Sequence, residues 1–289
     1  MGQSRVALAT AEQAAGLDED EPLLLAALGE RGVVAVPVVW DDPHADWACW
    51  DLVVVRSTWD YPRRHDAFVA WARHVGAADR LRNRADVIAW NSDKRYLPQL
   101  AAAGVPTVPS QVIAPHEPAR LPDGGDVVVK PVISAGAQDT TRHRDPERAR
   151  EHVERLHAEG RGALVQPYLE RVDEYGETAL VFLAGHFSHA IRKGPILRSA
   201  PVTVGGLFAR EEIAVRTPTD AERDVAERAL AALPFDRADL LYARVDLLPT
   251  ESTPMVLEVE LVEPSLFLRH HGPAAGALAD AIAAELAAR

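Results

Sequence analysis

Apolar positions follow two rhythms along this chain. Short runs rich in β-branched residues read as strands. Longer stretches with an apolar residue every third or fourth position read as helices. Residues 5–10 (Arg-Val-Ala-Leu-Ala-Thr) predict a first strand, and residues 21–32 a helix with acids at its start and Gly32 as its stop. Residues 33–40 predict a buried strand, 51–55 another, and 66–75 a helix. Strands alternating with helices imply a mostly parallel α/β lobe. In such lobes ligands gather where strand C-termini open into loops. The loop Arg56-Ser57-Thr58-Trp59-Asp60-Tyr61-Pro62 directly follows a strand and is therefore a candidate substrate contact.

A second unit begins near residues 89–94, where Ser92 or Asp93 can cap a helix over 94–103 that stops at Gly104. Strands are expected at 107–110, 127–131 and 163–169, with a helix over 146–160. Between the second strand and that helix lies a small polar loop, 134–140, containing Ser134 and Gly136, whose amides are free to contact phosphate oxygens. In the last third, residues 178–183 and 186–193 predict a hairpin turning at Gly185. The glycine-containing stretch 194–208 is long enough to act as a mobile cover. Helices are expected over 219–233 and 274–288.

Acids interrupt the pattern in two consecutive strand-like runs, 240–248 and 255–261, separated by a turn-rich segment. Asp246, Glu258 and Glu260 stand there among apolar residues. A carboxylate buried without a partner is costly, so cations should face these. Period-two geometry puts Glu258 and Glu260 on one face, and antiparallel pairing can bring Asp246 beside them. Three converging carboxylates suit magnesium, which prefers carboxylates together with substrate phosphates. The plainer alternative is the solvated face of an edge hairpin.

Composition narrows the field. A chain of 289 residues has room for two or three lobes. Lys+Arg 31 against Asp+Glu 43 gives a net charge of −12, which argues against nucleic acid or an anionic membrane as partner. No apolar run is long enough to span a bilayer, the N-terminus lacks a signal-peptide core, and the single cysteine excludes an intrachain disulfide. A cytoplasmic protein, monomeric or homodimeric, is expected. Cys49, between Trp47 and Trp50, is expected to be a packed thiol. Arg142-His143-Arg144 reads as a solvated loop and His270-His271 as a surface pair at a helix start, while no histidine spacing suggests zinc.

The order of Lys94, Lys130, the small-residue loop, Val165-Gln166-Pro167-Tyr168-Leu169, Glu177, Arg192-Lys193, Arg244-x-Asp246 and Glu258-x-Glu260 resembles the ATP-grasp superfamily over roughly residues 90–265. The nearest pattern is the glutathione synthetase and D-alanine–D-alanine ligase type, whose metal strand reads Glu-x-Asn. Here Glu260 replaces the asparagine, keeping an oxygen ligand and adding a charge. The resemblance implies an ATP-grasp fold of mixed α/β (α+β) class, with an N-terminal lobe (1–90), a central unit (91–168) and a C-terminal unit carrying the metal site (169–289), the last two clamping ATP. It further implies that Lys94, Lys130, Ser134 and Gly136 contact ATP, that Gln166, Pro167, Tyr168 and Leu169 form the adenine hinge, and that Glu177 holds the ribose, with Asp173 and Glu174 as competitors. By the same resemblance Asp246, Glu258 and Glu260 hold Mg2+, Arg244 stabilises charge at the acyl centre, and Arg192 and Lys193 line the γ-phosphate region.

For the substrate the residues leave two readings open. Arg56 and Asp60, with Ser57 and Thr58 between them, suit the carboxylate and ammonium of an amino acid zwitterion. Equally, they suit a structural loop with an Arg–Asp bridge. The resemblance places Glu263 and Ser265 at the acceptor. This loop and the 259–265 tail are similar to a small actinobacterial branch of ATP-grasp cyclo-ligases that act on O-ureido-D-serine in antibiotic biosynthesis. The expected activity is thus an ATP-dependent carboxylate–amine ligase working through an acyl phosphate on an amino-acid-like small molecule. An intermolecular dipeptide ligase and a non-catalytic nucleotide-binding protein are the alternatives.

Overall fold

In the computed structural model, which describes residues 3–122, 124–197, 203–204, 207–209 and 211–289, the chain builds three larger sheets in sequence order. The first is parallel throughout, ordered β2-β1-β3-β4, from β1 (Arg5–Thr10), β2 (Val34–Val39), β3 (Leu52–Ser57) and β4 (Leu81–Arg82). Helices α1 (Glu21–Glu30) and α2 (His65–Gly76) link these strands. Every residue of β3 is buried, because it lies inside the sheet with both faces covered. The segment 33–40 does form a strand, but not the buried one expected. It is an edge strand, and Val34 and Val36 are exposed. Its apolar run, which reads as burial, here reflects only strand propensity.

Helices α3 (Ala85–Asn91) and α4 (Tyr96–Ala102) follow. The helix expected over 94–103 starts two residues later than the sequence suggests, so Lys94 occupies the turn between α3 and α4. Asp93 accepts from the Arg95 amide at 3.0 Å, closing that turn rather than capping a helix at Lys94. The second sheet, ordered β5-β8-β6-β7, is antiparallel: β5 (Gln111–Ile113), β6 (Val127–Pro131), β7 (Thr141–His143) and β8 (Ala163–Pro167), backed by α5 (Pro146–Ala158). The strand expected at 107–110 is displaced to β5. Thr107 makes only an isolated bridge to Val256.

After α6 (Val172–Tyr175), the third sheet runs β13-β10-β9-β14-β15, all antiparallel. Its strands are β9 (Glu177–Leu183), β10 (His186–Lys193), β13 (Ile213–Arg216), β14 (Tyr242–Leu248) and β15 (Met255–Glu260). Between β10 and β13 a small ribbon pairs β11 (Thr203–Val204) with β12 (Phe208–Ala209). The expected cover over 194–208 therefore falls partly outside the described residues. Helix α7 (Asp220–Ala231), started by a Thr219–Glu222 capping box, packs on the sheet beside α3 and α4 in one shared core. The terminal helix α8 (Ala274–Ala287) lies against α1 and shares a core with the first and third sheets, so the end of the chain returns to the first lobe.

Three further expectations change. Cys49 is exposed, because the short 3-10 turn around it leaves the thiol outside the Trp40–Trp71 cluster. Arg142 is no loop residue: it stands on β7, reaches Asp126 at 2.6 Å and lies 3.7 Å over the Tyr168 ring. His271 stacks on buried His189 at 5.2 Å instead of facing solvent beside His270. No described helix is long and apolar enough to cross a membrane.

Candidate active site

A cavity opens where the three sheets meet. Lys94, Lys130 and the 134–137 loop line it from the second unit. Gln166, Pro167, Tyr168 and Leu169 follow as the chain leaves that unit, and Glu177, Lys193, Glu211, Arg244, Asp246, Glu258 and Glu260 belong to the third. Trp59 and Tyr61 come from the first lobe, and Glu263, Ser265 and Phe267 close the wall.

Strand register assembles the charged floor. Asp246 lies opposite Glu258 and Arg244 opposite Glu260 across β14 and β15. Because i and i+2 share a face, all four side chains point the same way. Arg244 grips Asp246 in bidentate fashion, at 2.9 and 3.0 Å, also bonds Glu260, and donates to the Ser265 carbonyl at 2.9 Å. Lys193 reaches Asp246 at 3.0 Å, Glu177 at 3.1 Å and Glu211 at 3.4 Å. Lys94 crosses from the other side to Glu258 at 2.7 Å and also donates to the Ser134 carbonyl at 2.8 Å. Lys130 stands farther from Glu258, at 3.9 Å.

The ionisation of these groups follows from their company. Burial alone would raise the Asp246 carboxyl, but Arg244 and Lys193 hold it at about 2. Burial, together with Glu258 and Asp246 nearby, outweighs Arg244 and pushes Glu260 up to about 7. Glu258 is drawn down by Lys94 and then Lys130, against its burial. The two lysines diverge: burial lowers Lys130, while Lys94, in direct contact with Glu258, is raised despite burial. Glu263 sits well above the usual carboxylate range, chiefly from burial and then from Glu260.

Among the described residues, six acids and four bases line the cavity: Glu177, Glu211, Asp246, Glu258, Glu260 and Glu263 against Lys94, Lys130, Lys193 and Arg244. That surplus of acid adds to burial in raising Glu260 and Glu263. A divalent cation would offset that surplus, so the donor chemistry suits magnesium. Among the described residues, however, no three acid, histidine or cysteine side chains are gathered as a ready metal site. Lysine and arginine occupy the acids instead.

Several residues singled out from sequence stand elsewhere. Arg192 alternates with Lys193 along β10 and so points off the cavity. Its guanidinium donates to the Tyr175 carbonyl at 2.6 Å and the Glu174 carbonyl at 3.3 Å. Arg56, Ser57, Thr58 and Asp60 do not line the cavity either. Arg56 is buried against Asp20 at 3.4 Å and Asp18 at 3.8 Å. Asp60 accepts from the Trp40 indole at 2.9 Å and from Arg64 at 2.6 Å, and Ser57 hydroxyl meets Thr10 hydroxyl at 2.8 Å. Arg56 and Asp60 thus have separate partners and form no zwitterion clamp. The same loop presents Trp59 and Tyr61 to the cavity, two residues that sequence reasoning passed over in favour of the charged ones. Asp173, a rival to Glu177 for a sugar hydroxyl, is bonded to the Tyr168 hydroxyl at 2.6 Å, whereas Glu177 itself reaches the cavity. Glu211 follows the ribbon of β11 and β12 and carried no sequence signal.

Gly136 marks a close approach. At φ +59°, a Cβ there would stand 2.3 Å from the Leu207 carbonyl oxygen and 2.7 Å from Phe208. Gln138 donates to that same carbonyl at 2.8 Å, and Phe208 meets Trp59 edge-on at 5.1 Å. The 207–208 segment is therefore a strap lying across the small-residue loop and onto the first lobe.

Comparison with known proteins gives consistent results. Residues 6–83 match the family described as D-cycloserine synthetase DcsG, N-terminal domain, which is less than half the chain. The cycloserine biosynthesis protein DcsG of Streptomyces lavendulae is 38% identical over 97% of this chain and 98% of its own length. The crystal structure of D-cycloserine synthetase DcsG superposes with a TM-score of 0.87 at 36% identity, covering 98% of this chain and all of that one. D-alanine–D-alanine ligase from Bacillus anthracis, solved in complex with ATP, gives a TM-score of 0.70 at 15% identity over 99% of this chain and 98% of that one, a likeness of fold.

Proposed function

Since the chain belongs to the D-cycloserine synthetase family of ATP-grasp ligases, as its identity to the Streptomyces lavendulae protein shows, we propose that it uses ATP to activate the carboxylate of O-ureido-D-serine and closes the ring of D-cycloserine. The observation that carries this reading is the meeting of Lys94 and Lys130 with Asp246, Glu258 and Glu260 inside one cavity. Phosphoryl transfer needs positioning and charge neutralisation more than covalent help from the protein, and this floor supplies both.

In the proposed reaction a substrate carboxylate oxygen attacks the γ-phosphorus and ADP departs. The side-chain nitrogen of the same molecule then attacks the acyl carbon, losing its proton and expelling phosphate. Release of the carbamoyl group as carbon dioxide and ammonia, with one water consumed overall, balances the conversion. Lys94, Lys130 and the amides about Ser134 and Gly136 would hold the phosphates. Gln166, Pro167, Tyr168 and Leu169 would seat the adenine, and Glu177 the ribose. Arg244, held by Asp246 and Glu260, would stabilise negative charge at the acyl centre. Asp246, Glu258 and Glu260 would hold Mg2+ once the lysines turn to phosphate, and the ion would neutralise charge building on the transferring group. The 207–208 strap would keep water from the acyl phosphate. Arg192 supports the α6 carbonyls and has no part in this scheme. We assign the first lobe, central unit and C-terminal unit to residues 1–90, 91–168 and 169–289, one about each sheet.

The test is an ADP-release screen over D- and L-amino acids including O-ureido-D-serine, with product identified by mass. Release of ADP with O-ureido-D-serine and appearance of the cyclic product is the expected result. Formation of AMP, or ADP release only when a second amino acid is added, would overturn it.

A further inference from the structure

Glu263 lines the cavity at 8% exposure, yet among the described residues no hydrogen bond or ion pair reaches its carboxylate. Every other buried acid of the floor has a lysine or arginine against it. A buried carboxyl without a counter-charge is unfavourable, and such groups mark binding sites more often than chance.

The backbone that carries Glu263 is held with unusual thoroughness. From 262 to 266 each carbonyl is taken by a side chain from another element. Tyr242 hydroxyl donates to Val262 at 2.9 Å, Trp59 indole to Glu263 at 3.1 Å, Arg56 to Pro264 at 3.3 Å, Arg244 to Ser265 at 2.9 Å and His189 Nε2 to Leu266 at 2.9 Å. Asp20 accepts the Leu266 and Leu268 amides, both at 2.7 Å. Arg56 and Asp20 also face each other, so the first lobe clamps this segment from both its donors and its acceptors. The Cα of Glu263 is thereby fixed relative to the cavity, which sets where its carboxyl can reach.

We propose that Glu263 reads a cationic nitrogen of the substrate, the α-ammonium of its amino-acid part, against the aromatic walls formed by Trp59 and Tyr61, and that Arg56 and Asp20 are positioning residues which hold Glu263 at that spot. The inference rests on the amino-acid ligase reading above. The chemistry is direct: an ammonium gives a carboxylate the charge-assisted bond it lacks, and aromatic faces favour the same cation.

The test compares wild type with Glu263→Gln and Glu263→Asp, using O-ureido-D-serine and its analogue lacking the α-amino group, in the ADP-release assay with full-length protein. Glu263→Gln is expected to raise the KM for O-ureido-D-serine at least tenfold while the KM for ATP stays within twofold, which also reports an intact fold. Wild type should prefer the amino substrate over the analogue by a similar factor, Glu263→Gln should lose that preference, and Glu263→Asp should recover part of it. Unchanged KM and unchanged preference in Glu263→Gln would overturn the inference while leaving the ligase reading standing. No ADP release by wild type with any amino acid would instead sink the ligase reading, and this proposal with it.

Discussion

Replacing Gly136 by alanine should separate catalysis from stability. Two costs arise. The left-handed backbone disfavours a Cβ by about 1–2 kcal/mol, and the new methyl meets backbone atoms of Leu207 and Phe208, which no rotamer change relieves. The strap must then lift. Lifting it exposes Leu207, now 3% accessible, at about 1.5–3 kcal/mol. It also breaks the Gln138 bond to the Leu207 carbonyl, about 0.5–1.5 kcal/mol, and the Trp59–Phe208 ring contact, a further 0.5–1.5 kcal/mol or so. Roughly 2.5–6 kcal/mol of closure is therefore set against the substitution, a shift of more than tenfold in the closed population at about 1.4 kcal/mol per tenfold. Gly104→Ala is the control, because Gly104 has φ +83° with nothing within 4 Å of a Cβ. Both variants should lose about 1 kcal/mol or more of stability by denaturant titration, but only Gly136→Ala should waste ATP, with cyclic product per ADP released falling severalfold as water reaches the acyl phosphate. Gly136→Ala coupling ADP to product as well as Gly104→Ala does would refute the role given to the strap.

The floor makes three further predictions. Asp246→Asn and Glu258→Gln each remove a charge without changing shape, and each should lower kcat by 100-fold or more, on the order expected for charge stabilisation of a transition state, with an unchanged circular dichroism spectrum; near-normal kcat in both would dismiss the assigned metal role. Glu260, raised to about 7 in the fold, favours the folded state most below pH 4.5, and that contribution is lost as pH rises through about 7, on the order of 3 kcal/mol at about 1.4 kcal/mol per unit. Denaturation midpoints of the ligand-free protein should thus fall between pH 4.5 and 7, and Glu260→Gln should flatten this slope; an equal slope in the variant would contradict the assignment. Because Lys94 cannot serve phosphate without abandoning Glu258 at 2.7 Å, ATP alone should bind much more weakly than ATP with magnesium, by tenfold or more at a coupling of about 1.4 kcal/mol; calorimetry giving equal affinities with and without the ion would count against that exchange.

Much of this was legible from residue pattern. The acids of β14 and β15 stand out because a strand seldom tolerates charge in an apolar run, and period-two geometry correctly placed Glu258 and Glu260 on one face. Lys130 was found for the same reason. What misled was charge taken without its long-range partner. Arg56 and Asp60 lie four residues apart and suit a zwitterion, but Arg56 pairs with Asp20 and Asp60 with Trp40, contacts that no local spacing announces. Arg192 and Lys193 were grouped together although neighbours on a strand face opposite ways. Lys94 was given to a helix because capping signals surrounded it, yet its position in the turn before α4 is what lets its amide bond the Val132 carbonyl at 2.8 Å and its amine cross to Glu258.

The first lobe acts on the cavity largely at one remove. The fold of the whole chain, first lobe included, is shared with a ligase at 15% identity. Residues 6–83 also match the family described as D-cycloserine synthetase DcsG, N-terminal domain. Among its described residues, that lobe places Trp59 and Tyr61 at the cavity. Its other contribution is indirect: Asp20, Arg56 and Trp59 grip the backbone that carries Glu263 and Ser265. Selectivity on this view resides in neither half alone, because the recognising side chain lies after β15 and the residues fixing it lie before α2. Grafting the first lobe onto another ligase would then bring the braces without the group they brace, and grafting the 262–268 segment would bring the group without its braces.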